Sequence, residues 1–102
     1  MRDVRFELTD MDGATNWRDT ITLSHTGPGS RTVSELIRGA NIQGTNPTWN
    51  GATSGDVGSG STAGNLQLEI TGQVTTLTLV YTAGPETGTS QHVGIYGLSF
   101  CP

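Results

Sequence analysis

The sequence predicts an all-β fold, an antiparallel β-sandwich with long loops, from its composition and its periodicity. The chain has 17 threonines, 15 glycines and no lysine; threonine favours strands, and glycine marks the turns between them. Several segments alternate apolar and polar residues with a period of two, which is typical of half-buried strands. At 102 residues the chain is predicted to be a single domain, 1–102, or a piece of a larger module.

The first two predicted strands flank an acidic loop. Residues 4–8 and 20–24 alternate apolar and polar side chains, and a Gly-Pro-Gly run at 27–29 ends the second strand, because proline supplies no hydrogen-bond donor to a sheet. We expect the two strands to be neighbours in one sheet, joined by a long hairpin loop. Their core-facing residues are predicted to be Val4, Phe6, Leu8, Ile21 and Leu23.

The middle of the chain has the weakest periodicity. Residues 31–37 fit one helical turn as well as a strand, and we interpret them as a short strand with an irregular end. Residues 39–64 show almost no period and include a run of glycine, serine, threonine and alanine, which predicts a long surface loop. A weak strand at 52–57 is the alternative for part of this loop.

The last third has the clearest strand pattern. Residues 65–70 and 74–82 alternate on either side of a Thr-Gly-Gln turn. We expect them to pair as a hairpin, with Leu77, Leu79 and Tyr81 on one face of the second strand.

The closing strand, residues 91–100, changes phase along its length. Its first two apolar residues share one face, and the last two fall on the other. A β-bulge at Tyr96-Gly97 would insert one residue and return all four side chains to the core. These four residues are Val93, Ile95, Leu98 and Phe100.

Two parts of the chain resemble jelly-roll-like β-sandwich modules of large bacterial surface and secreted proteins. Residues 74–81, the Gly-Pro at 84–85 and residues 91–100 are similar to the end of such modules. Residues 6–12 with 19–23 are similar to their middle, where a strand ends in an Asp-x-Asp loop. The resemblance implies a jelly-roll-like sandwich that is a binding or structural module and not an enzyme.

The chain departs from this family pattern at its start, because the modules usually have further strands before the one that begins here at Val4. A missing strand would leave residues 4–8, or their spatial neighbour, with an unpaired edge. Such an edge favours strand addition from another copy or a neighbouring domain. We therefore expect partners at the sheet edges.

Composition argues against several classes of partner. The five arginines are scattered and the net charge is −4, so no basic stripe predicts nucleic-acid binding. No apolar run approaches the roughly 18 residues that span a bilayer, and the start lacks the basic-then-apolar layout of a signal peptide. Cys101 is the only cysteine; we interpret it as an inert, half-buried residue, or alternatively as a thiol that pairs with another domain or chain.

Asp10, Asp12 and Asp19 place three of the nine acidic residues in the loop between the first two predicted strands. Oxygen ligands gathered in a loop suit Ca²⁺, and carbonyls near Gly13 with the Asn16 amide would complete such a site. The helix-loop-helix calcium motif itself is absent. The alternative is that Asp10 and Asp12 cap an Asx-type turn while Asp19 forms a surface ion pair with Arg18 or Arg5. Ca²⁺ is the one cofactor that the sequence suggests.

Trp17 and Trp49 both fall in predicted loops, where an exposed indole ring can stack on a sugar. With the side-chain amides of Asn46, Asn50 and Gln43 as donors and acceptors, Trp49 would head a glycan site. The alternative is that such a tryptophan folds back over the open end of a small sandwich.

No catalytic arrangement stands out in the sequence. No serine lies in a recognisable nucleophile elbow or beside a base, and Glu7 and Glu69 fall on the polar faces of predicted strands. Together with the resemblance to surface-protein modules, this predicts a non-enzymatic, extracellular or cell-surface structural and adhesive module, the building block of a surface protein, filament or layer. The alternatives are a calcium-supported carbohydrate-binding module and a virion surface or decoration protein.

Overall fold

The computed structural model describes residues 1–14, 17–52, 62–82 and 93–102, and at positions 14 and 17 it describes the backbone alone. Two antiparallel four-stranded sheets pack against each other, which confirms the predicted β-sandwich. No helix in the described part of the chain is long and apolar enough to cross a membrane. The elements are β1 (Arg2–Thr9), β2 (Gly13–Ala14), β3 (Trp17–Arg18), β4 (Thr20–Thr26), β5 (Thr32–Arg38), β6 (Ile42–Thr45), β7 (Thr48–Gly51), a 3-10 turn (Thr62–Gly64), β8 (Leu66–Gln73), β9 (Thr76–Thr82) and β10 (Gly94–Cys101).

The eight longer strands pair in a nested order. The first sheet has the order β10-β1-β8-β5 and the second has the order β6-β7-β4-β9. Among these eight strands the first pairs with the last, the second with the seventh, the third with the sixth and the fourth with the fifth. Such a folded ribbon is the pairing of a jelly roll, so the jelly-roll-like architecture agrees with the observed topology.

Both predicted hairpins are wrong. β1 and β4 lie in different sheets, and so do β8 and β9. Between β8 and β9 the chain crosses the sandwich at Val74, which is buried and donates its N–H to the Met1 carbonyl oxygen at 2.7 Å. An alternating pattern shows that a strand has one apolar face, but it does not show which strand is its neighbour. Consecutive strands that face each other across the core satisfy the same pattern.

The predicted long loop at 39–64 is only partly correct. Residues 42–51 form the β6–β7 hairpin, whose turn contains a cis peptide bond between Asn46 and Pro47. The strands of this hairpin are four residues each, too short to show a period in the sequence. The ambiguous segment at 31–37 is a strand, as predicted. The alternative strand at 52–57 lies outside the described residues except for Ala52.

The core is built from the inward faces of both sheets, and all five inward residues predicted for the first two strands are buried. Full burial of a Leu, Ile, Val or Phe side chain contributes about 1.5–3 kcal/mol. The buried core residues are Val4, Phe6, Leu8, Met11, Ile21, Leu23, Ile42, Trp49, Leu66, Leu68, Ile70 and Val74.

The predicted bulge in the closing strand is present. Glu7 lies opposite Tyr96 and Arg5 lies opposite Ser99, so one residue of β1 faces two residues of β10 between them. Gly97 has a φ of 62°, a left-handed conformation that glycine adopts without steric cost. The inserted residue returns the later apolar side chains of β10 to the inward face.

The predicted burial of the β10 side chains is nevertheless wrong. Ile95, Leu98 and Phe100 are 55%, 59% and 52% exposed although they share the inward face, and only Val93 of the four is partly buried against the core. β10 is an edge strand, so within its sheet these side chains have neighbours on one side only. Cys101 ends the strand as a free thiol and is exposed, not half-buried.

Candidate functional site

The acidic loop after β1 is anchored to the end of the sandwich. Met11, between Asp10 and Asp12, is fully buried. Its N–H donates to the Gly64 carbonyl oxygen at 3.1 Å, and its own carbonyl accepts a hydrogen bond from the Asn41 amide at 3.2 Å. Asp10 has a φ of 64°, a left-handed conformation that aspartate tolerates better than most residues. The loop is therefore held by an apolar side chain and by its backbone.

Asp19, just before β4, is fully buried and connects the acidic loop to β9. Its Oδ2 accepts the N–H of Asp12 at 3.1 Å, and its Oδ1 accepts the hydroxyl of Tyr81 at 2.6 Å. The predicted surface ion pair between Asp19 and an arginine is wrong, because both carboxylate oxygens face protein donors. Of the two arginines considered for it, Arg5 forms its ion pair with Glu69 across β1 and β8, at 2.7 Å.

Burial raises the pKa of Asp19 from its ordinary 3.8 to about 6. The hydrogen bond from Tyr81 opposes this rise because it stabilises the carboxylate, whereas the neighbouring Asp12 carboxyl adds to it. Burial, followed by the hydrogen bond to Asp19, raises the pKa of Tyr81. We call Asp12, Asp19 and Tyr81 the Asp19 cluster. Within it, the raised pKa means that Asp19 changes charge in mildly acidic solution.

The geometry gives no support to Ca²⁺ binding by Asp10, Asp12 and Asp19. No three histidine, cysteine, aspartate or glutamate side chains within the described ranges are placed to hold a metal ion together. A cation bound by Asp19 would have to compete with the hydroxyl of Tyr81 and the N–H of Asp12. Asn16, the other ligand considered, lies outside the described residues. Ca²⁺ binding stays a prediction.

Trp49 is fully buried in β7, so the predicted exposed platform for a sugar is wrong at this residue. Its Nε1 donates to Oε2 of Glu35 at 2.7 Å, and its ring belongs to the core. A large apolar ring with one polar atom is stable in a core when that atom has a partner. The structure therefore agrees with the alternative interpretation, in which Trp49 folds back over the end of a small sandwich and does not present its ring to a sugar.

Because Trp49 is buried, the other residues of the predicted glycan site do not surround an exposed ring at that position. Asn46 is exposed in the β6–β7 turn. Asn50 is half-buried, and its Nδ2 donates to the Gly51 carbonyl oxygen at 2.8 Å. Trp17 lies in β3, and its side chain is outside the described part of the structure. Glycan binding stays a prediction.

Hydrogen bonds between the two sheets close one end of the sandwich. Arg38 of β5 donates to the carbonyl oxygens of Gly44 at 2.9 Å and Ile42 at 3.2 Å, both in β6. Arg38 also pairs with Glu35 at 3.0 Å, and Glu35 accepts the Trp49 hydrogen bond from β7. We call this side of the sandwich, where the edge strands β5 and β6 are joined by these hydrogen bonds, the closed end.

The closed end predicts a pH-dependent contribution from Glu35. The hydrogen bond from Trp49, and then Arg38, lowers the pKa of Glu35 below 4.5 against the opposing effect of burial. The resulting stability is present above pH 4.5 and is lost as the pH falls through the lowered pKa. We expect Glu35→Gln to reduce the melting temperature at pH 7 and to change it little at pH 3. Glu69→Gln, which breaks a surface ion pair, is the control and should have a smaller effect at pH 7.

The opposite edges, β10 and β9, form what we call the open end. Because β5 and β6 are joined at the closed end, the two sheet orders bring β10 and β9 together at the other end. Neither strand contains a charged residue. The sequence shows these uncharged runs, but it does not show that both are edges. The partly or mostly exposed inward residues here are Leu77, Leu79, Tyr81, Ile95, Leu98 and Phe100.

None of the protein-family models, curated proteins or solved structures compared with the chain matches it. The resemblance to modules of bacterial surface proteins therefore stays a prediction. The chain's own surfaces are the remaining basis for a functional conclusion.

Proposed function

We propose that this chain is a non-enzymatic structural and adhesive module, a building block of an extracellular or cell-surface protein, filament or layer, and that it assembles through its open end. The supporting observation is the inward face of β10, where three large apolar side chains are each more than half exposed. Contiguous exposed apolar surface marks sites of protein association. The location outside the cell rests on the resemblance alone.

The two ends of the first sheet offer a matched comparison. Ile37 of β5 is 50% exposed at the closed end, and Ile95 of β10 is 55% exposed at the open end. Both are half-exposed isoleucines on edge strands of the same sheet, Ile95 opposite Leu8 on the inward face and Ile37 opposite Gln67 on the outward face. A lysine at either position therefore costs the folded monomer a similar amount, while the effect on assembly differs if only the open end is an interface.

We expect the purified chain to form oligomers without any ligand, with a mass that rises with concentration in light scattering after size-exclusion chromatography. Ile95→Lys should weaken this association at least about tenfold, because a charge would have to be desolvated in an apolar contact. Ile37→Lys should leave it unchanged. A chain that is monomeric at every concentration, or that responds equally to both substitutions, would contradict the proposal.

The carbohydrate-binding alternative has less support. Its main feature in the sequence was an exposed indole ring at Trp49, and that ring is buried. Its calcium site lacks a group of converging ligands among the described residues. The assembly function needs neither feature.

A further inference from the structure

Within its own residues, β9 lacks the features that block strand pairing in the other three edge strands of the described sheets. β5 contains Glu35, Arg38 and a register shift, β6 has only four residues, and β10 contains the Gly97 bulge. Charges, short length and bulges are the features by which natural edge strands avoid adding another strand. β9 has seven residues with no charge, glycine or proline, and it pairs with β4 without any register shift.

The inward residues of β9 are arranged symmetrically about its centre. Leu79 is the middle residue, and Leu77 and Tyr81 lie two positions to either side on the same face. In an antiparallel pair of two such strands centred on Leu79, Leu77 lies opposite Tyr81 of the second copy. Every inward residue then meets an inward residue, which keeps the apolar face continuous.

The open end also indicates that its partner has two layers, because two edge strands are exposed there. A single extended peptide added to β9 would cover the edge of one sheet and leave the exposed apolar face of β10 uncovered. A partner with two layers would cover both edges together. A second sandwich has this shape, and its own open end presents the same two uncharged strands.

We propose that two copies of this chain associate through their open ends about a two-fold axis at Leu79, with β9 pairing antiparallel to β9 of the second copy. The second sheet then continues as eight strands across the axis, and the β10 faces of the two copies lie side by side. This inference rests on the proposed assembly function and names its partner and its register.

Charge is compatible with self-association at this place. The chain has a net charge of −4, so two copies repel each other at long range. The strands that would meet carry no charged residue, so no like charges are brought together in the contact. A stable interface buries roughly 1,000 Å² or more, and the proposed contact includes the exposed apolar side chains of β10 as well as the paired strands.

Disulfide trapping tests the register. In the proposed pair Thr76 lies opposite Thr82 of the second copy, at a Cβ separation of about 4.5–5.5 Å, whereas Thr76 is about 20 Å from its own counterpart. With Cys101→Ser as background, Thr76→Cys alone and Thr82→Cys alone should give little covalent dimer on mild oxidation. An equimolar mixture should give a mixed dimer, identified by mass, in up to about half of the associated pairs.

A substitution at the free edge gives an independent measurement. Val80 is exposed on the outward face of β9, and Val80→Lys should weaken dimerisation at least about tenfold. Val80→Thr, which keeps a β-branched side chain, should not. Melting temperatures of all variants identify any that fail to fold.

The outcomes separate the two proposals. Oligomers that persist with Val80→Lys, or that give no disulfide from the mixture, would overturn the β9 register and leave assembly through the open end standing. A chain that is monomeric at every concentration would overturn both proposals.

Discussion

Trp49→Ala is expected to lower the free energy of unfolding by about 3–5 kcal/mol. The indole ring is fully buried among residues of both sheets, so alanine would leave a cavity. Glu35 would also lose the N–H that it accepts at 2.7 Å. A domain of this size has a stability of about 5–15 kcal/mol, so the melting temperature should fall by roughly 15–30 °C. Thermal and urea denaturation followed by circular dichroism would measure this change.

Two further variants separate the ring from its hydrogen bond. Trp49→Phe keeps most of the apolar volume and loses only the donor, at an expected cost of about 1–2 kcal/mol. Tyr96→Ala removes an aromatic ring that is exposed on β10, and the cost should be within about 0.5 kcal/mol. If Trp49→Ala were as stable as the wild type, the buried position of the ring would be wrong and a surface role for it would return.

The sequence was sufficient to predict the strands in which the apolar-polar alternation extends over several residues. β1 and β4 alternate over several residues, and every inward side chain predicted for them is buried. The bulge at Gly97 could be predicted because a phase change in an apolar pattern has few other physical explanations. β6 and β7 could not be predicted, because four-residue strands contain too few alternations to distinguish from a loop.

The pairing of the strands could not be predicted from the sequence, for a different reason. Period-two alternation specifies which side chains face the core, and a neighbour in the same sheet or a strand across the core satisfies it equally. β8 and β9 look like a hairpin for this reason, although they belong to different sheets. The nested pairing of a jelly roll depends on contacts between strands far apart in the chain, which a local pattern does not contain.

The environments of Trp49 and Asp19 were misjudged because polar and aromatic residues in predicted loops look exposed in a sequence. Trp49 is buried because Glu35, from another strand, supplies a partner for its N–H. Asp19 is buried because Tyr81 and the backbone of Asp12 supply donors for its carboxylate. Burial of a polar group depends on its partners in three dimensions, so residue type and spacing alone predicted the wrong environment for both.

Asp19→Asn is expected to increase the free energy of unfolding at pH 7 by about 3 kcal/mol. The pKa of Asp19 is raised by burial from 3.8 to about 6 in the folded chain. Its contribution to stability is therefore fully present below pH 3.8 and is lost as the pH rises through about 6. Asparagine is neutral throughout, so the difference between variant and wild type should grow between about pH 4 and pH 6.5. Urea denaturation at closely spaced pH values would measure this difference.

The hydrogen bonds explain why asparagine is the suitable replacement. Its amide oxygen can accept the N–H of Asp12, and its amide N–H can donate to the hydroxyl oxygen of Tyr81. Asp19→Ala removes both partners and leaves buried donors unsatisfied, at a cost of about 1–3 kcal/mol for each. Alanine should therefore be less stable than asparagine at this position at every pH. A wild-type stability that does not change relative to Asp19→Asn between pH 4 and pH 6.5 would contradict the raised pKa.

Tyr81→Phe and added Ca²⁺ distinguish the two roles considered for the acidic loop. The Tyr81 hydroxyl lowers the pKa of Asp19, so its removal should move the loss of stability to higher pH. If the Asp19 cluster is a structural connection, Ca²⁺ should leave the melting temperatures of wild type and Asp19→Asn equally unchanged. If Asp10, Asp12 and Asp19 bind the ion, Ca²⁺ should stabilise the wild type by linkage and Asp19→Asn far less. Because the two roles predict opposite signs for the Asp19→Asn effect in saturating Ca²⁺, one denaturation series decides between them.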